Sequence, residues 1–270
     1  MSRRIAILAL LVLGFTWAGA APARAEAVIA DLSKRLVAIT TGFAGTDVLL
    51  FGALEGKGEV VVVVKGPIGQ LDVRRKARVA GIWINRDTIT FANVPSFYSV
   101  SASAPLAQLV PTALALRSGI GARYLDIAAA RGSAGRGERC SRALDPTREG
   151  ADSADLRRIV PFCEALIRNK AREGLFQPEG RVTFLPGRKL FRTTIRFPAN
   201  VRVGTYSVLV YVVRDGQIVG SQTHPLVINK TGVEAEVFDF AHRQSAFYGL
   251  IAVALAALAG WGAGVIFRKY

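Results

Sequence analysis

The stretch Phe247–Phe267 carries no charged side chain and is built almost wholly from Ala, Leu, Val, Ile and Gly. At about 1.5 Å of rise per residue, a helix of that length matches a hydrocarbon core about 30 Å thick. A buried core helix of this length would be unusual, so the sequence predicts a transmembrane helix. Tyr248 and Trp261 suit the two interfaces, and Arg268 and Lys269 mark the cytoplasmic side. Gly260 and Gly264 form a small-xxx-small pair that lets a second helix approach closely. An alanine-rich span also produces such pairs by chance.

The opposite end predicts export. Arg3 and Arg4 precede an apolar run from Ile5 to Phe15, and Ala23-Arg24-Ala25 supplies the small residues of a cleavage site. This is the three-part plan of a secretory signal peptide, with cleavage before Glu26. The run is short for a bilayer, which leaves an uncleaved signal anchor as the alternative. No cysteine lies near the cleavage site, which excludes a lipoprotein. The two ends together predict a single-pass protein of the inner (plasma) membrane, with its ectodomain in the periplasm and its C-terminus in the cytoplasm.

Charge and cysteine usage narrow the ectodomain. The chain has 35 Lys+Arg against 20 Asp+Glu. Setting aside Arg3, Arg4, Arg24, Arg268 and Lys269 leaves 30 bases against the 20 acids, so the exported part carries about +10. That balance favours anionic lipid head groups or anionic solutes, and the exported location makes nucleic acid the least expected partner. The bland alternative is a general arginine habit. Cys140 and Cys163 are the two cysteines. In an oxidising compartment they suit one disulfide, favoured by the Gly-, Ser- and Arg-rich surroundings of Cys140; two buried free thiols are the alternative.

Between the ends the pattern runs strand, helix, strand. Val28–Ala53 reads as two strands around Gly42–Gly45, the second being Thr46–Leu54. Glu59–Lys65 holds five consecutive valines between glycines and reads as a strand buried on both faces. Val73–Asn85 is the next predicted strand, with a turn at Asn85-Arg86-Asp87 and a return over Thr88–Val94. Trp83 is expected in the core, and Phe97 and Tyr98 are expected to plug the end of the sandwich. These segments predict an immunoglobulin-like β-sandwich block over 26–103, in a mostly β ectodomain with a helical insert. The insert and a polar loop follow over 104–173. Its best helix is Asp152–Arg172, capped by Asp152 or Ser153, kinked or broken at Pro161 and ended by Gly174. A second β block over 174–230 either completes the ectodomain or stands alone. It includes Val182–Leu185, Leu190–Phe197 and a hairpin of Gly204–Val213 with Gln217–Asn229, closed by Arg214-Asp215-Gly216. Residues 231–246 link to the span at 247–267, and 268–270 form the tail.

Catalytic readings fail on inventory. His224 and His242 are the only histidines and have no metal-ligand spacing. No G-x-S-x-G or phosphate-binding loop is present, and the glycines at 132, 135 and 137 follow no strand. Asp152 and Asp155 read as helix-start charges. The sequence therefore predicts no enzyme, no cofactor and no metal. The one concentrated feature is Arg74, Arg75, Lys76, Arg78 and Arg86. Strand alternation places Arg74, Lys76 and Arg78 on one face, where they repel each other unless acids, an anionic ligand or lipid phosphate intervene. Arginine forks suit sulfonate, sulfate, phosphate or carboxylate. A solvated edge strand guarded by charge is the alternative.

The mature chain resembles a family of transmembrane proteins of alphaproteobacteria with no established activity. The resemblance rests on Thr41–Gly45 with Leu50–Gly52, on Val73–Asn85 and on Val94–Tyr98. Leu190–Arg192, Pro198–Asn200, Gly204–Tyr206 and Tyr248–Gly249 continue it, and Arg74–Tyr98 is the most specific segment. It implies the same topology, no catalytic residues, and a gene encoded near that of an exporter of sulfite or organosulfonates. The combined expectation is a non-enzymatic accessory to a membrane partner such as a transporter. The rival is a periplasmic module that takes a small anion or anionic lipid head group on Arg74, Lys76, Arg78 and Arg86.

Overall fold

A computed structural model of the chain describes residues 28–130, 137–145, 154–231, 241–242 and 244–267. The expected signal peptide, the caps Asp152 and Ser153, most of the 231–246 linker and the 268–270 tail lie outside the described residues.

The valine run explains the architecture. It forms strand β4 (Glu59–Lys65), with every one of its five valines buried. Alternate side chains of a strand leave opposite faces. Val60, Val62 and Val64 enter one core while Val61 and Val63 enter another. β4 can do this because it is internal to a six-stranded sheet, ordered β2 (Leu36–Ile39), β13 (Gln217–Lys230), β12 (Gly204–Arg214), β4, β7 (Tyr98–Ala102) and β9 (Gly180–Arg181).

A four-stranded sheet covers the first face. Its order is β1 (Val28–Leu32), β3 (Gly45–Leu54), β11 (Leu190–Pro198) and β10 (Thr183–Phe184). Val48, Leu50, Phe191, Ile195 and Phe197 from this sheet meet Val62, Tyr206, Val208 and Val210 from the other. Each such side chain contributes about 1.5–3 kcal/mol by leaving water. Tyr206 sits near the start of β12, and its hydroxyl donates to the Arg202 carbonyl at 2.6 Å. That back-bond matches the tyrosine corner of immunoglobulin-like sandwiches. β11 lies beside β3 and β12 beside β4, so strands from early and late in the chain share both sheets.

The second face is covered by the insert. Helices α1 (Leu106–Leu109), α2 (Thr112–Ser118), α3 (Cys140–Ala143) and α4 (Ala154–Arg172) pack there with a three-stranded sheet of β5 (Ile68–Val79), β6 (Ile82–Pro95) and β8 (Ala128–Ala129). α4 continues through Pro161, and Gly174 follows its end at φ +71°. The Tyr98 ring is fully buried here; its hydroxyl donates to the Gly119 carbonyl at 3.1 Å and accepts the Gly121 N–H at 2.6 Å. Phe97 turns the other way, 4.9 Å from the Phe197 ring.

Three expectations are corrected. The first predicted strand divides at Ser33–Arg35 into β1 and β2, which join different sheets. The turn placed at Asn85–Asp87 lies instead at Ala80 and Gly81, both with positive φ (49° and 87°). Trp83 is not core: it is 69% exposed, because the strand that carries it runs past the body it was expected to pack against.

Candidate functional site

β5 and β6 form a long antiparallel hairpin whose inner part belongs to the insert core. Val73, Ile89, Phe91 and Val94 are buried, and β8 pairs with β6 only at Phe91 and Ala92. Beyond that point the hairpin is a two-stranded ribbon. Its register pairs Arg74 with Thr88, Arg75 with Asp87, Lys76 with Asn85, Ala77 with Ile84, Arg78 with Trp83 and Val79 with Ile82. The pairing skips Arg86, the extra residue of a bulge. The bulge re-phases β6, so that alternation stays matched across the two strands beyond it.

Cross-strand partners share a face, so the ribbon has two distinct sides. One continues from buried Val73 and Ile89 through Arg75 and Asp87 to Ala77, Ile84, Val79 and Ile82. The other carries Arg74, Lys76 and Arg78 with Thr88, Asn85 and Trp83. Arg75 is the tethered cation: its Nε donates to Asp87 at 3.0 Å and its guanidinium lies 5.9 Å from the Phe162 ring centroid. Arg74 has a looser partner, Asp72 at 3.6 Å, and Arg78 Nε donates to the Gly81 carbonyl at 3.2 Å. Among the described residues, neither Lys76 nor Arg86 has a carboxylate within ion-pair distance. Five cations thus face two carboxylates, Asp72 and Asp87, along β5 and β6.

A second basic place was missed by sequence reasoning. Three tight turns meet around a surface cleft of about 1090 Å³: Gly56-Lys57-Gly58, Gly187-Arg188-Lys189 and Arg214-Asp215-Gly216. Arg188 spans it, donating to Glu59 at 2.6 Å and stacking 4.5 Å from the Phe184 ring centroid. Arg214 Nε donates to the Lys57 carbonyl at 2.8 Å. A glycine beside a base in each of three turns was the available signal; nothing in the linear order showed that the turns converge.

Cys140 and Cys163 are joined by a disulfide with Cα atoms 5.5 Å apart, fastening α3 to α4. His224 lies on β13 opposite Val208, away from any cysteine or second histidine in that ladder. Among the described residues no group of three His, Cys, Asp or Glu is placed to hold a metal ion. Helix α5 (Ser245–Phe267) has a membrane-crossing composition over Ser245–Gly264, with mean hydropathy 1.8. Gly260 and Gly264 lie one turn apart on this helix.

Residues 27–269 match the family described as Putative transmembrane protein (Alph_Pro_TM). The chain belongs to this family. Within that match the described residues contain one helix long and apolar enough to cross a membrane, at the C-terminal end. The family member is thus a mostly β membrane protein with a C-terminal span. No curated protein and no solved structure matches it.

Proposed function

We propose that this family member is a non-enzymatic accessory protein, held in the inner membrane by α5 and serving a membrane partner such as a transporter. The observation that carries this reading is the pair Gly260 and Gly264, one turn apart on the apolar helix α5, a small-xxx-small pair that lets the backbone of another helix approach closely. The disulfide supports a periplasmic ectodomain, since such bonds persist in oxidising compartments. With the sandwich on that side, the C-terminus is cytoplasmic. Affinity purification of the full chain after crosslinking returns one stoichiometric membrane protein, and Gly260→Leu with Gly264→Leu releases it. Recovery of no such protein, or equal recovery with the double variant, overturns the reading.

A second reading is favoured by Lys76 and Arg86, which have no acidic partner among the described residues beside the loosely paired Arg74. Here the hairpin takes an anionic group, either a free anion or a lipid head group, on Arg74, Lys76, Arg78 and Arg86. Sulfite, sulfonates, phosphate or glycerophospholipid head groups then raise the melting temperature, and Arg74→Ala with Lys76→Ala removes the rise. Failure of every anion sinks it.

A further inference from the structure

We infer that the outer half of the β5–β6 hairpin is a bilayer-seated wedge, which enters the head-group region of an anionic leaflet beside the chain's own membrane helix. The inference deepens the second reading above, rests on it, and assigns the anion to lipid rather than to solution.

The tip is the first argument. Val79, Ile82, Trp83 and Ile84 are exposed at 47%, 65%, 69% and 40%, clustered around Ala80 and Gly81. Val79, Ile82 and Ile84 share one face and Trp83 lies on the other, and such a cluster of exposed apolar side chains at the end of a charged ribbon marks an interaction surface. Trp combines an apolar ring with a polar N–H and concentrates at membrane–water interfaces. Opposite it sit Arg78, and further in Lys76 and Arg74, at spacings of about 7 Å along the strand. Val79, Ile82 and Trp83 lead, Arg78 lies level with Trp83 on a side chain long enough to reach back to the phosphates, and Lys76 and Arg74 follow, the order in which a leaflet presents acyl chains and then phosphates. A free anion would account for the cations and leave the isoleucines in water without a purpose.

Placement in the fold is the second argument. The hairpin leaves the sandwich at Gly66-Pro67, where a Cβ on Gly204 would come 2.5 Å from Pro67. Gly204 pairs with Ile228, two residues before β13 ends and the chain departs toward α5. The root of the hairpin and the exit to the membrane helix therefore share one end of the sandwich. Seating the wedge therefore turns that end of the sandwich toward the bilayer.

The edge of the ribbon argues against a second copy as occupant. β5 is an outer strand of its sheet, but Arg74, Lys76 and Arg78 alternate along it, and two such edges would align like charges.

The test uses the full chain in nanodiscs of phosphatidylcholine alone, or of phosphatidylcholine with phosphatidylglycerol, and in detergent with inorganic phosphate. Amide hydrogen exchange is followed over 77–86. In the anionic nanodiscs exchange there slows at least about tenfold relative to detergent with phosphate, the effect of taking a single apolar side chain out of water. Ile82→Asp with Ile84→Asp abolishes the slowing, while exchange over Val60–Val64 is unchanged and reports an intact fold. Replacing Arg74, Lys76 and Arg78 by Gln removes most of it, since each cation near an anionic surface favours the bound state. Equal exchange in nanodiscs and detergent, equal slowing in both nanodisc types, or slowing that survives the Asp pair overturns the wedge. Slowing by phosphate in detergent leaves the anion reading standing and removes the wedge. No response to phosphate or to lipid removes both. Slowing in detergent that grows with protein concentration identifies a second copy instead, and likewise overturns it.

Discussion

β4 and the outer half of the β5–β6 hairpin are both β structure rich in apolar residues, and they meet opposite fates. Val60–Val64 lies between β12 and β7, with a core above and a core below. Val79–Ile84 has a partner strand, and among the described residues its apolar side chains near the tip stay exposed. Backbone pairing alone therefore does not bury a strand; a second layer does. The difference teaches where this molecule has stability to lose and where it has surface to use.

That contrast breaks most sharply under a buried charge. Val62→Asp places a carboxylate between two sheets without a partner, and denaturant unfolding of the β-sandwich should show a loss of about 4 kcal/mol or more. Ile82→Ser with Trp83→Ser should shift the same transition by less than about 0.5 kcal/mol, because both side chains are already in water. Comparable losses from the two substitutions would mean that the tip is packed in the folded protein.

The insert should respond between these extremes. Cys140→Ser with Cys163→Ser frees a loop of 23 residues in sequence separation, and the melting transition should fall by about 3 kcal/mol. Tyr98→Phe leaves the Gly119 carbonyl and the Gly121 N–H without their buried partner, at about 1–3 kcal/mol.

Tyr98 also sets an alkaline limit. Burial pushes its phenol well above the ordinary 10.0, and burial raises Tyr206 and Tyr211 as well. A group whose folded pKa is raised contributes stability that is full below its unfolded pKa and is lost as pH climbs through the folded value. Stability should therefore hold up to about pH 10 and decline above it, with a shallower decline in Tyr98→Phe. Lys65 pushes the other way: burial lowers its pKa below 10.5, so the cost of its charge is relieved as pH rises. A flat profile above pH 10 would mean that the phenols ionise as easily in the folded state as in the unfolded one. The smallest expected effect is on the hairpin itself. Arg75→Ala should cost more than Arg74→Ala, both within about 1 kcal/mol, because Arg75 has a closer carboxylate and an aromatic face while both remain exposed.

Legibility followed the same division. β4 could be read residue by residue, and the β12–β13 hairpin and the apolar C-terminal helix nearly so, since each is bounded by its own turn residues or by composition. Asp215 and Gly216 take φ +48° and +72°, the left-handed pair that a tight hairpin turn requires. The β5–β6 turn was misplaced because Asn85-Arg86-Asp87 carries stronger turn residues than Ala80-Gly81. Those polar residues belong to a bulge, which tolerates them for the same reason a turn does. Trp83 was misassigned because hydrophobicity names what a side chain avoids and not whether a neighbour is there. The candidate anion face was legible as a list of cations; which of them are already paired was not.

Period-two alternation, the valine run and the uncharged terminal stretch determined by themselves that this chain is mostly β and ends in a membrane helix, because those patterns record which solvent each face requires. Tertiary structure alone decided that strands from early and late in the chain share the two sheets, that three basic turns converge on one cleft, and that the hairpin tip is exposed among the described residues. Each of these depends on contacts between residues far apart in the chain, and no local propensity encodes them.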